Sequence, residues 1–363
     1  MTLLPKVLMQ NRGDMESHRG GDVVQMEETA NNLRSRGWDV DISNSIDVNY
    51  SKYGIVHLFN TTRINETWIQ FRRARKSGCK VVVSPIWHSM EEMRKYYCWR
   101  YGVKSFPIWI YGGLREIYYA LRSGYRLSLK AALSYRQCQR LVLSLSDIVL
   151  PNSDAERRML EKELNISIKN FKIVPNGFNL MEDAIGVKSS PETARCGIVC
   201  AGRIEPRKNS VQIIKAFRIL QNQPGSLKFY GKKNYSHITY LQQFERLLDP
   251  GNVEYSGCVS GKELLEIFQR TEVVILASFF ETTGLVGLEA LACGAKVVVL
   301  DSPYTREYFR DRAFYCDPYS VESISHALEL ALKAPCQPRP TWLDRFTWDN
   351  AGYQTMMAYE SIL

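Results

Sequence analysis

The stretch FETTGLVGLEALACGAKVVVL, residues 280–300, decides the fold, because it combines a turn, a helix and a buried strand in direct succession. Gly284 marks the turn, the alanines and leucines after it favour a helix, and Cys293-Gly294 ends that helix. Residues 296–300 then form an apolar run rich in valine, typical of a strand inside a parallel sheet. The stretch therefore predicts one loop, helix and strand of an α/β protein.

Two glutamates, Glu281 and Glu289, flank the turn and lie at positions i and i+8. On a helix that begins near Gly284, both side chains can face one cleft. The backbone N–H groups around Thr283, Gly284 and Leu285 lie at the start of the helix, where the helix dipole favours an anion such as a phosphate. Read alone, the same two acids are also compatible with a solvated helix face.

A second stretch, CAGRIEPRKN at residues 200–209, contains a pair of cations. It follows the apolar run 197–200 and precedes a helical pattern at 211–220, so it reads as a strand, a loop and a helix. Arg203 and Lys208, with four residues between them, are placed to converge on one anionic group. That group would lie at the carboxyl end of the strand, where ligands of doubly wound sheets bind.

Together, the two stretches resemble the donor-binding half of glycosyltransferase family 4, the group 1 type found in bacterial polysaccharide synthesis. That family consists of retaining enzymes that use sugar nucleotides. Its signature is a glycine-arginine loop, a lysine five positions on, and two glutamates separated by seven residues. Here these are Gly202-Arg203, Lys208, Glu281 and Glu289. The resemblance covers nearly the whole chain and implies an α/β protein of GT-B fold, in which two Rossmann-like domains face each other across a cleft.

The resemblance also implies roles for individual residues. Arg203, Lys208 and the amides of the Gly284 turn would neutralise the leaving diphosphate. Glu289 would bind the ribose hydroxyls and Glu281 would contact the donor sugar. The glycine turns that contain Gly231 and Val259 would hold the nucleoside base through backbone contacts, and no metal or other cofactor is expected.

The implied domains are residues 1–180 for the acceptor, residues 181–345 for the nucleotide sugar, and a C-terminal helix, 346–363, that packs back on the first domain. A polar linker is predicted at 183–195. Strands alternate with helical patterns in both halves, which indicates mostly parallel sheets. The predicted strands are 6–10, 38–42, 54–59, 79–84, 147–150 and 172–174 in the first half, and 197–201, 227–230, 253–255, 273–276 and 296–300 in the second. The first-half helices are predicted at 22–36, 65–76 and 127–144.

Two loops of the first half are candidates for the acceptor side. The diglycine Gly20-Gly21 precedes a helix and allows close approach of a ligand to the backbone, although a plain turn fits as well. The second loop, Asn176-Gly177 after Pro175, matches the family's Pro-Asn-Gly loop, which enters the cleft.

The histidines of the first half differ in their predicted roles. His57 lies inside a predicted strand and is expected to be a core residue. His88 follows a strand end, where a histidine of the resembled family contacts the transferred sugar. Because the motif around it departs from the family's form, either Trp87 or His88 could line the sugar pocket. The Asp39-x-Asp41 pair resembles a metal-binding motif of another glycosyltransferase architecture, but no further acids accompany it, so both are expected to be solvated.

Composition limits the remaining possibilities. No apolar run approaches the roughly 20 residues of a membrane helix, and the N-terminus lacks the apolar core of a signal peptide, so a cytoplasmic protein is expected. Nine scattered cysteines without a CxxC pair favour free thiols. The net charge of +9 comes from the first half, since residues 1–180 carry 27 Lys and Arg against 17 Asp and Glu.

The segment 95–140 accounts for much of this excess, with nine basic residues, eleven aromatic residues and one acid, Glu116. Basic residues interleaved with tryptophan and tyrosine suit the interface of anionic head groups and acyl chains. We therefore expect peripheral contact of this segment with the inner face of the plasma membrane, and a lipid-linked glycan acceptor. Aromatic side chains that fill the core of the first domain explain the pattern equally well. A nucleic acid partner is not expected, given the donor motif in the second half.

Two other functions remain compatible with the sequence. One is another reaction of the same fold, such as nucleotide-sugar epimerisation. The other is a non-catalytic partner subunit, which would not need to retain all four charged motif residues. The nucleotide base, the sugar, the acceptor and the oligomeric state do not follow from the sequence.

Overall fold

The structure is a computed structural model that describes residues 4–16, 20–123, 126–178, 195–220 and 225–363. The predicted linker therefore lies outside the described residues except for Arg195. The chain divides into two compact units. The first comprises residues 1–177 together with 346–363, and the second comprises residues 178–345.

The first unit contains a five-stranded sheet in the order β2-β1-β3-β4-β5, in which every neighbouring pair is parallel. Its strands are β1 (Val7–Gln10), β2 (Val40–Ser43), β3 (Ile55–Phe59), β4 (Lys80–Ser84) and β5 (Ile148–Val149). Its helices are α1 (Gly21–Ser35), α2 (Ile64–Lys76), α3 (Met90–Tyr101), α4 (Ile108–Ser123), α5 (Leu129–Leu133), α6 (Tyr135–Leu145), α7 (Asp154–Leu164) and the C-terminal α14 (Trp348–Glu360).

The second unit contains a six-stranded parallel sheet in the order β11-β10-β9-β6-β7-β8. Its strands are β6 (Cys196–Ala201), β7 (Leu227–Tyr230), β8 (Val253–Tyr255), β9 (Thr271–Leu276), β10 (Lys296–Leu300) and β11 (Ala313–Cys316). Its helices are α8 (Ser210–Arg218), α9 (Ile238–Glu245), α10 (Gly261–Arg270), α11 (Leu285–Ala292), α12 (Pro303–Phe309) and α13 (Val321–Lys333).

The strand order of the second unit brings the two motif stretches together. Strands β6 and β9 are neighbours although Cys196 and its partner Thr271 are 75 positions apart in the chain. In a parallel sheet the carboxyl ends of adjacent strands meet at one edge. The loop after β6, with Arg203 and Lys208, therefore lies beside the loop after β9, with Glu281.

The C-terminal helix packs within the first unit, on α1. Gly352 of α14 lies against Asn32, and a Cβ at Gly352 would come within 2.4 Å of the Asn32 Cβ. Near the C-terminal end of α14, the Tyr359 hydroxyl is 2.8 Å from Nδ1 of His57. The Nε2 atom of the same ring is 2.9 Å from the Ser84 hydroxyl. His57 is thus a hydrogen-bonded core residue, as predicted. Burial lowers its pKa to about 3, so the ring is neutral in the folded protein.

Two element predictions were wrong. The helix expected at 127–144 is two helices, α5 and α6, separated at Ser134, which has non-helical dihedral angles. The break accompanies close packing of Tyr135 on Gly112 of α4, where a Cβ would lie 2.7 Å from the tyrosine ring. The strand expected at 172–174 is absent from this described segment, because only Phe171 forms a bridge with Val149.

The sequence analysis did not anticipate strand β11 or the helices α3, α4, α9, α10, α12 and α13. All nine cysteines have free thiols, as predicted. Within the described part of the chain, no helix combines the length and apolarity needed to cross a bilayer.

Candidate active site

Three glycine-containing loops lie at the carboxyl edge of the second sheet and are bonded to one another. The Gly202 N–H donates to the Tyr230 carbonyl at 2.8 Å, and the Gly231 N–H donates to the Gly257 carbonyl at 2.7 Å. Gly231 has a φ of +135°, and a Cβ there would lie 2.1 Å from the Gly202 carbonyl oxygen. Only glycine allows this approach, so the loops after β6, β7 and β8 form one backbone surface.

Val259, the other predicted base contact, follows in the same series of loops. It is half-buried and precedes Ser260, which caps α10 through a reciprocal pair of hydrogen bonds with Glu263. The cap holds the end of this loop against the helix.

Lys208 is positioned by a short helical turn, Pro206–Lys208, and by the residue after it. Asn209 has a φ of +65°, and its side-chain amide donates to the carbonyls of Ala277 at 3.0 Å and Pro318 at 2.8 Å. These bonds attach the turn to the end of β9. As a result, the Lys208 ammonium lies 2.7 Å from Oε2 of Glu281.

A second ion cluster beside this pair was missed by the sequence analysis, which treated Arg203 and Lys208 alone. Glu205 is buried, and its carboxylate lies 3.2 Å from the Arg207 guanidinium and 3.7 Å from the Arg203 Nε. The side-chain amide of Asn234 donates to it at 3.1 Å. Burial raises the pKa of Glu205, but the charges of Arg207 and Arg203 outweigh this effect, so the pKa lies below its ordinary value.

Arg207 connects this cluster to the loop that contains Glu281. Its NH1 donates to the Phe280 carbonyl at 3.3 Å and lies 4.0 Å from Oε2 of Glu281. Its backbone carbonyl accepts from the Phe279 N–H at 3.0 Å. The signal available in the sequence was the alternation of charge in Arg203-x-Glu205-x-Arg207, but the partners of these side chains depend on the adjacency of β6 and β9.

Helix α11 begins at the predicted turn. Gly284 has a φ of +70° and accepts, through its carbonyl, the N–H groups of Gly287 at 2.8 Å and Leu288 at 3.2 Å. The ring of Phe309 packs on this turn, and a Cβ at Gly287 would lie 2.8 Å from it. Thr283 is buried and Leu285 is half-buried, so the first turn of α11 is held rigidly.

Glu289 lies about one turn after Leu285 in α11 and is half-buried. Its charge contributes, after burial, to raising the pKa of the nearby Cys293 thiol to about 11. Arg195 holds the C-terminal end of the helix, because its guanidinium donates to the Cys293 carbonyl at 2.7 Å. A cation at this end complements the helix dipole. The candidate donor residues of the second unit thus lie on rigid supports, and the structure brings Gly202, Lys208 and Glu281 together.

The candidates of the first unit lie on separate elements. His88 is half-buried in the loop between β4 and α3, whereas its neighbour Trp87 is fully buried. The Trp87 indole donates to Glu163 at 3.2 Å and its backbone N–H donates to Glu156 at 2.6 Å, so helix α7 holds it in the core. Of the two residues, only His88 has a partly exposed side chain.

The diglycine Gly20-Gly21 leads into α1 and is held by a buried ion network. Gly20 has extended backbone angles and Gly21 is the first residue of the helix. The Arg12 guanidinium pairs with Asp22, with its Nε 2.7 Å from Oδ2, and its NH1 is 2.9 Å from Asp14. Arg63 extends the network to α2, through Asp14 and through Glu66 at 2.6 Å. The sequence analysis missed these five charged residues.

Gly177 of the Pro-Asn-Gly loop has a structural constraint. A Cβ at this position would lie 2.2 Å from the Trp348 backbone nitrogen at the start of α14. Asn176 beside it is buried. The Asp39 and Asp41 pair faces Lys6, which lies 3.3 Å and 3.0 Å from the two carboxylates, and the Tyr53 hydroxyl donates to Asp41. These two aspartates therefore form part of an ion pair at the edge of the first sheet.

Comparison with known proteins relates part of the chain to one family. Residues 187–343 match the family described as glycosyl transferases group 1. The O-antigen chain mannosyltransferase B of Escherichia coli is 28% identical over 168 residues, which is 44% of each chain. A D-inositol 3-phosphate glycosyltransferase of Kineococcus radiotolerans is 28% identical over 177 residues, covering 44% of this chain and 41% of that protein. The chain thus spans less than half the length of these curated relatives.

Solved structures match over both units. The lipopolysaccharide outer core galactosyltransferase WaaB superimposes with a TM-score of 0.64 at 13% identity, covering 99% of this chain and 100% of that one. The Anabaena protein HepE, solved with UDP and glucose, superimposes with a TM-score of 0.60 at 14% identity over 99% and 97% of the two chains. The chain therefore has the GT-B fold, as predicted, and its residues 187–343 are similar to the glycosyl transferases group 1.

Proposed function

We propose that this protein is a retaining, metal-independent glycosyltransferase that transfers a sugar from a nucleotide-sugar donor to a glycan acceptor. The observation that carries the proposal is the position of the Lys208 ammonium, 2.7 Å from Glu281, beside the glycine surface of Gly202 and Gly231. A site that binds a sugar diphosphate needs cations for the phosphates, a rigid backbone surface and a carboxylate for the sugar.

Each group then has a chemical role. Departure of the diphosphate breaks the bond between the anomeric carbon and the phosphate oxygen, which leaves an oxocarbenium-like sugar and negative charge on the departing phosphate. The acceptor hydroxyl then bonds to the anomeric carbon on the same face and gives its proton to that phosphate. Arg203, Lys208 and the amides at Gly284 and Leu285 neutralise that charge, each contributing on the order of a few kcal/mol when aimed at the transition state. Glu281 contacts the donor sugar.

The nucleoside and the acceptor side complete the proposal. Glu289 binds the ribose, and the loops of Gly231 and Val259 hold the base. On the acceptor side, the proposed contacts are His88 with the transferred sugar, and the loops of Gly20-Gly21 and Asn176-Gly177 with the acceptor.

The acceptor is proposed to be a lipid-linked intermediate of a cell-surface polysaccharide, such as an O-antigen, a capsule or an exopolysaccharide. Support comes from relatives named as O-antigen and serotype-specific mannosyltransferases, and from the likeness to the galactosyltransferase WaaB. We place the enzyme on the cytoplasmic face of the membrane, in peripheral contact through residues 95–140, where such acceptors are accessible.

A thermal-shift screen with UDP, GDP, dTDP and CMP tests donor binding, because a ligand that binds only the folded state raises the unfolding temperature. One nucleotide is expected to stabilise the protein, and Lys208→Ala is expected to remove most of that shift. Its sugars are then tested with lipid-linked acceptors, beginning with mannose, and the anomeric configuration of the product is read by NMR. A folded protein that responds to none of the nucleotides would instead support a non-catalytic subunit, and free epimer formed without acceptor would support an epimerase.

A further inference from the structure

Helix α4 carries an exposed apolar stripe on the face opposite its packed side. Ile110, Leu114, Tyr118 and Leu121 are all exposed, and their spacing of four, four and three residues places them on one helix face. The packed face contains Gly112, Glu116 and Ala120, which are buried. An outward apolar stripe on a helix that is already packed has no role in the core of the unit.

Helix α5 extends this stripe. It packs closely on α4, since a Cβ at Gly113 would lie 2.7 Å from the Ala132 carbonyl oxygen. Its alanines face inward, while Leu129 and Leu133 are 71% and 83% exposed, and Leu121 of α4 is 79% exposed. We define the α4–α5 apolar surface by its six exposed side chains, Ile110, Leu114, Tyr118, Leu121, Leu129 and Leu133.

Most of the aromatic side chains of this segment are not part of the surface. Tyr97, Phe106 and Tyr111 pack on one another, with the Tyr97 and Phe106 rings 4.9 Å apart and the Tyr97 and Tyr111 hydroxyls 2.7 Å apart. They join α3 to α4. These three rings therefore serve packing, whereas Trp99 and Tyr101 of α3 are 41% and 60% exposed. The α4–α5 apolar surface itself is aliphatic except for Tyr118.

The exposed charges of the segment that contains the α4–α5 apolar surface, residues 95–140, all have one sign. Between residues 95 and 140 the single acid, Glu116, is buried, accepts from the Asn65 backbone N–H at 2.9 Å and pairs with Arg115. The exposed charged side chains of the described part of the segment are basic: Lys95, Arg100, Lys104, Arg126, Lys130, Arg136 and Arg140. The surface therefore combines exposed leucines with an excess of positive charge.

This combination decides which occupant fits. A second copy of the chain, meeting the same surface about a twofold axis, would bring two sets of cations together without any acid between them. A nucleic acid would pair with the cations and leave the leucines exposed to water. A bilayer with anionic head groups accommodates both the leucines and the cations. Leucines enter the acyl region, while lysine and arginine remain at the phosphates.

We infer that the α4–α5 apolar surface inserts into an anionic membrane and that Leu121, Leu129 and Leu133 are its main anchors. The inference rests on the proposed function, because membrane contact would hold the acceptor side of the enzyme close to a lipid-linked substrate. It assigns the membrane contact mainly to aliphatic side chains of α4 and α5, where the sequence pattern had indicated tryptophan and tyrosine.

Co-sedimentation with vesicles tests the inference. The full chain is expected to bind vesicles of equal parts phosphatidylglycerol and phosphatidylcholine at low salt, and to bind phosphatidylcholine vesicles weakly. Because burial of each leucine favours binding, Leu121→Gln with Leu133→Gln is expected to lower the vesicle partition constant by roughly tenfold or more. The matched control is Ile238→Gln with Leu330→Gln, two exposed apolar residues of the second unit that should leave binding unchanged.

The contribution of the basic residues to vesicle binding is measured separately. Arg100→Gln with Lys104→Gln should weaken binding to anionic vesicles by roughly 30-fold, since each basic residue near such a surface strengthens binding by roughly fivefold. Added salt should weaken binding of the parent protein in the same direction. Failure of the parent protein to sediment, or equal binding by the leucine variant, would overturn the inference. A dimer that the leucine substitutions dissociate, without vesicle binding, would assign the surface to a second copy.

Donor binding separates this inference from the proposed function. The thermal shift caused by a nucleotide should be the same in the leucine variant and in the parent protein. A retained shift without vesicle binding would refute the membrane surface alone. Vesicle binding by a protein that responds to no nucleotide would refute the transferase alone.

Discussion

The ammonium of Lys208 lies 2.7 Å from the Oε2 atom of Glu281, and 73 positions of the chain separate the two residues. Both side chains are largely buried, with exposures of 19% and 16%. The cation proposed for the diphosphate therefore pairs with the carboxylate proposed for the sugar. The proposed function places the donor where these two groups meet.

Replacement of Lys208 by alanine should lower kcat by about 10²-fold to 10³-fold, because a preorganised donor aimed at developing negative charge is removed. Lys208→Arg should retain part of the activity, since it preserves the charge. Steady-state kinetics with varied donor measure the effect. Lys262→Ala, an exposed lysine at the start of α10, is the control, and an unchanged kcat in Lys208→Ala would remove this residue from the site.

Glu205 and Arg207 should act as a coupled pair that positions the Glu281 loop. Glu205→Gln and Arg207→Gln are each expected to lower kcat/KM, and the double variant should lose less than the sum, with a coupling energy of about 1 kcal/mol or more. The pair Lys228 and Glu254, partly exposed and 3.2 Å apart on the same sheet, is the matched control and should couple by less than about 1 kcal/mol. Additive losses at Glu205 and Arg207 would show that they do not act through each other.

Removal of divalent metal should leave transfer intact, because Arg203, Lys208 and the α11 amides are proposed to supply the positive charge. The measurement is product formation after treatment with EDTA, followed by direct chromatography, so that no metal-dependent coupling enzyme is involved. Loss of activity with recovery on addition of Mg²⁺ would overturn the metal-free mechanism.

Tyr359→Phe should destabilise the first unit by about 1–3 kcal/mol, since it removes the partner of a buried ring nitrogen of His57. Tyr353→Phe changes an exposed tyrosine of the same helix and should alter the free energy of unfolding by less than about 0.5 kcal/mol. Urea unfolding measures both. Equal stability of the two variants would mean that the His57 bond contributes nothing to the attachment of α14.

The buried His57 should also make the free energy of unfolding depend on pH. Burial lowers the pKa of His57 to about 3 from an ordinary value of 6.5, so between these values the unfolded chain binds more protons than the folded one. The stability that neutral His57 contributes is complete above pH 6.5 and is lost as the pH falls towards 3. His57→Gln should show a smaller loss over this range than the parent protein, and an identical loss would contradict the assignment.

The sequence by itself determined the class of fold and the location of the donor motif. Valine-rich runs such as 296–300 and glycine turns such as Gly284 specify strands and loops through local preferences, which act over a few residues. The spacing of Arg203, Lys208, Glu281 and Glu289 is likewise visible in the chain, because the motif lies within two short segments. Boundaries were accurate to one or two residues for most elements, and failed at 127–144, where tertiary packing of Tyr135 on Gly112 breaks a continuous helical pattern.

The tertiary structure alone decided which charged and apolar side chains meet. The Glu205 cluster exists because β6 pairs with β9, a contact between distant segments, and burial lets the cations hold its carboxylate ionised. Composition could not show that Trp87 is fully buried against α7 while His88 beside it is only half-buried. It also could not distinguish the tyrosines that pack α3 on α4 from the leucines that α4 and α5 leave exposed, because burial depends on which helices become neighbours.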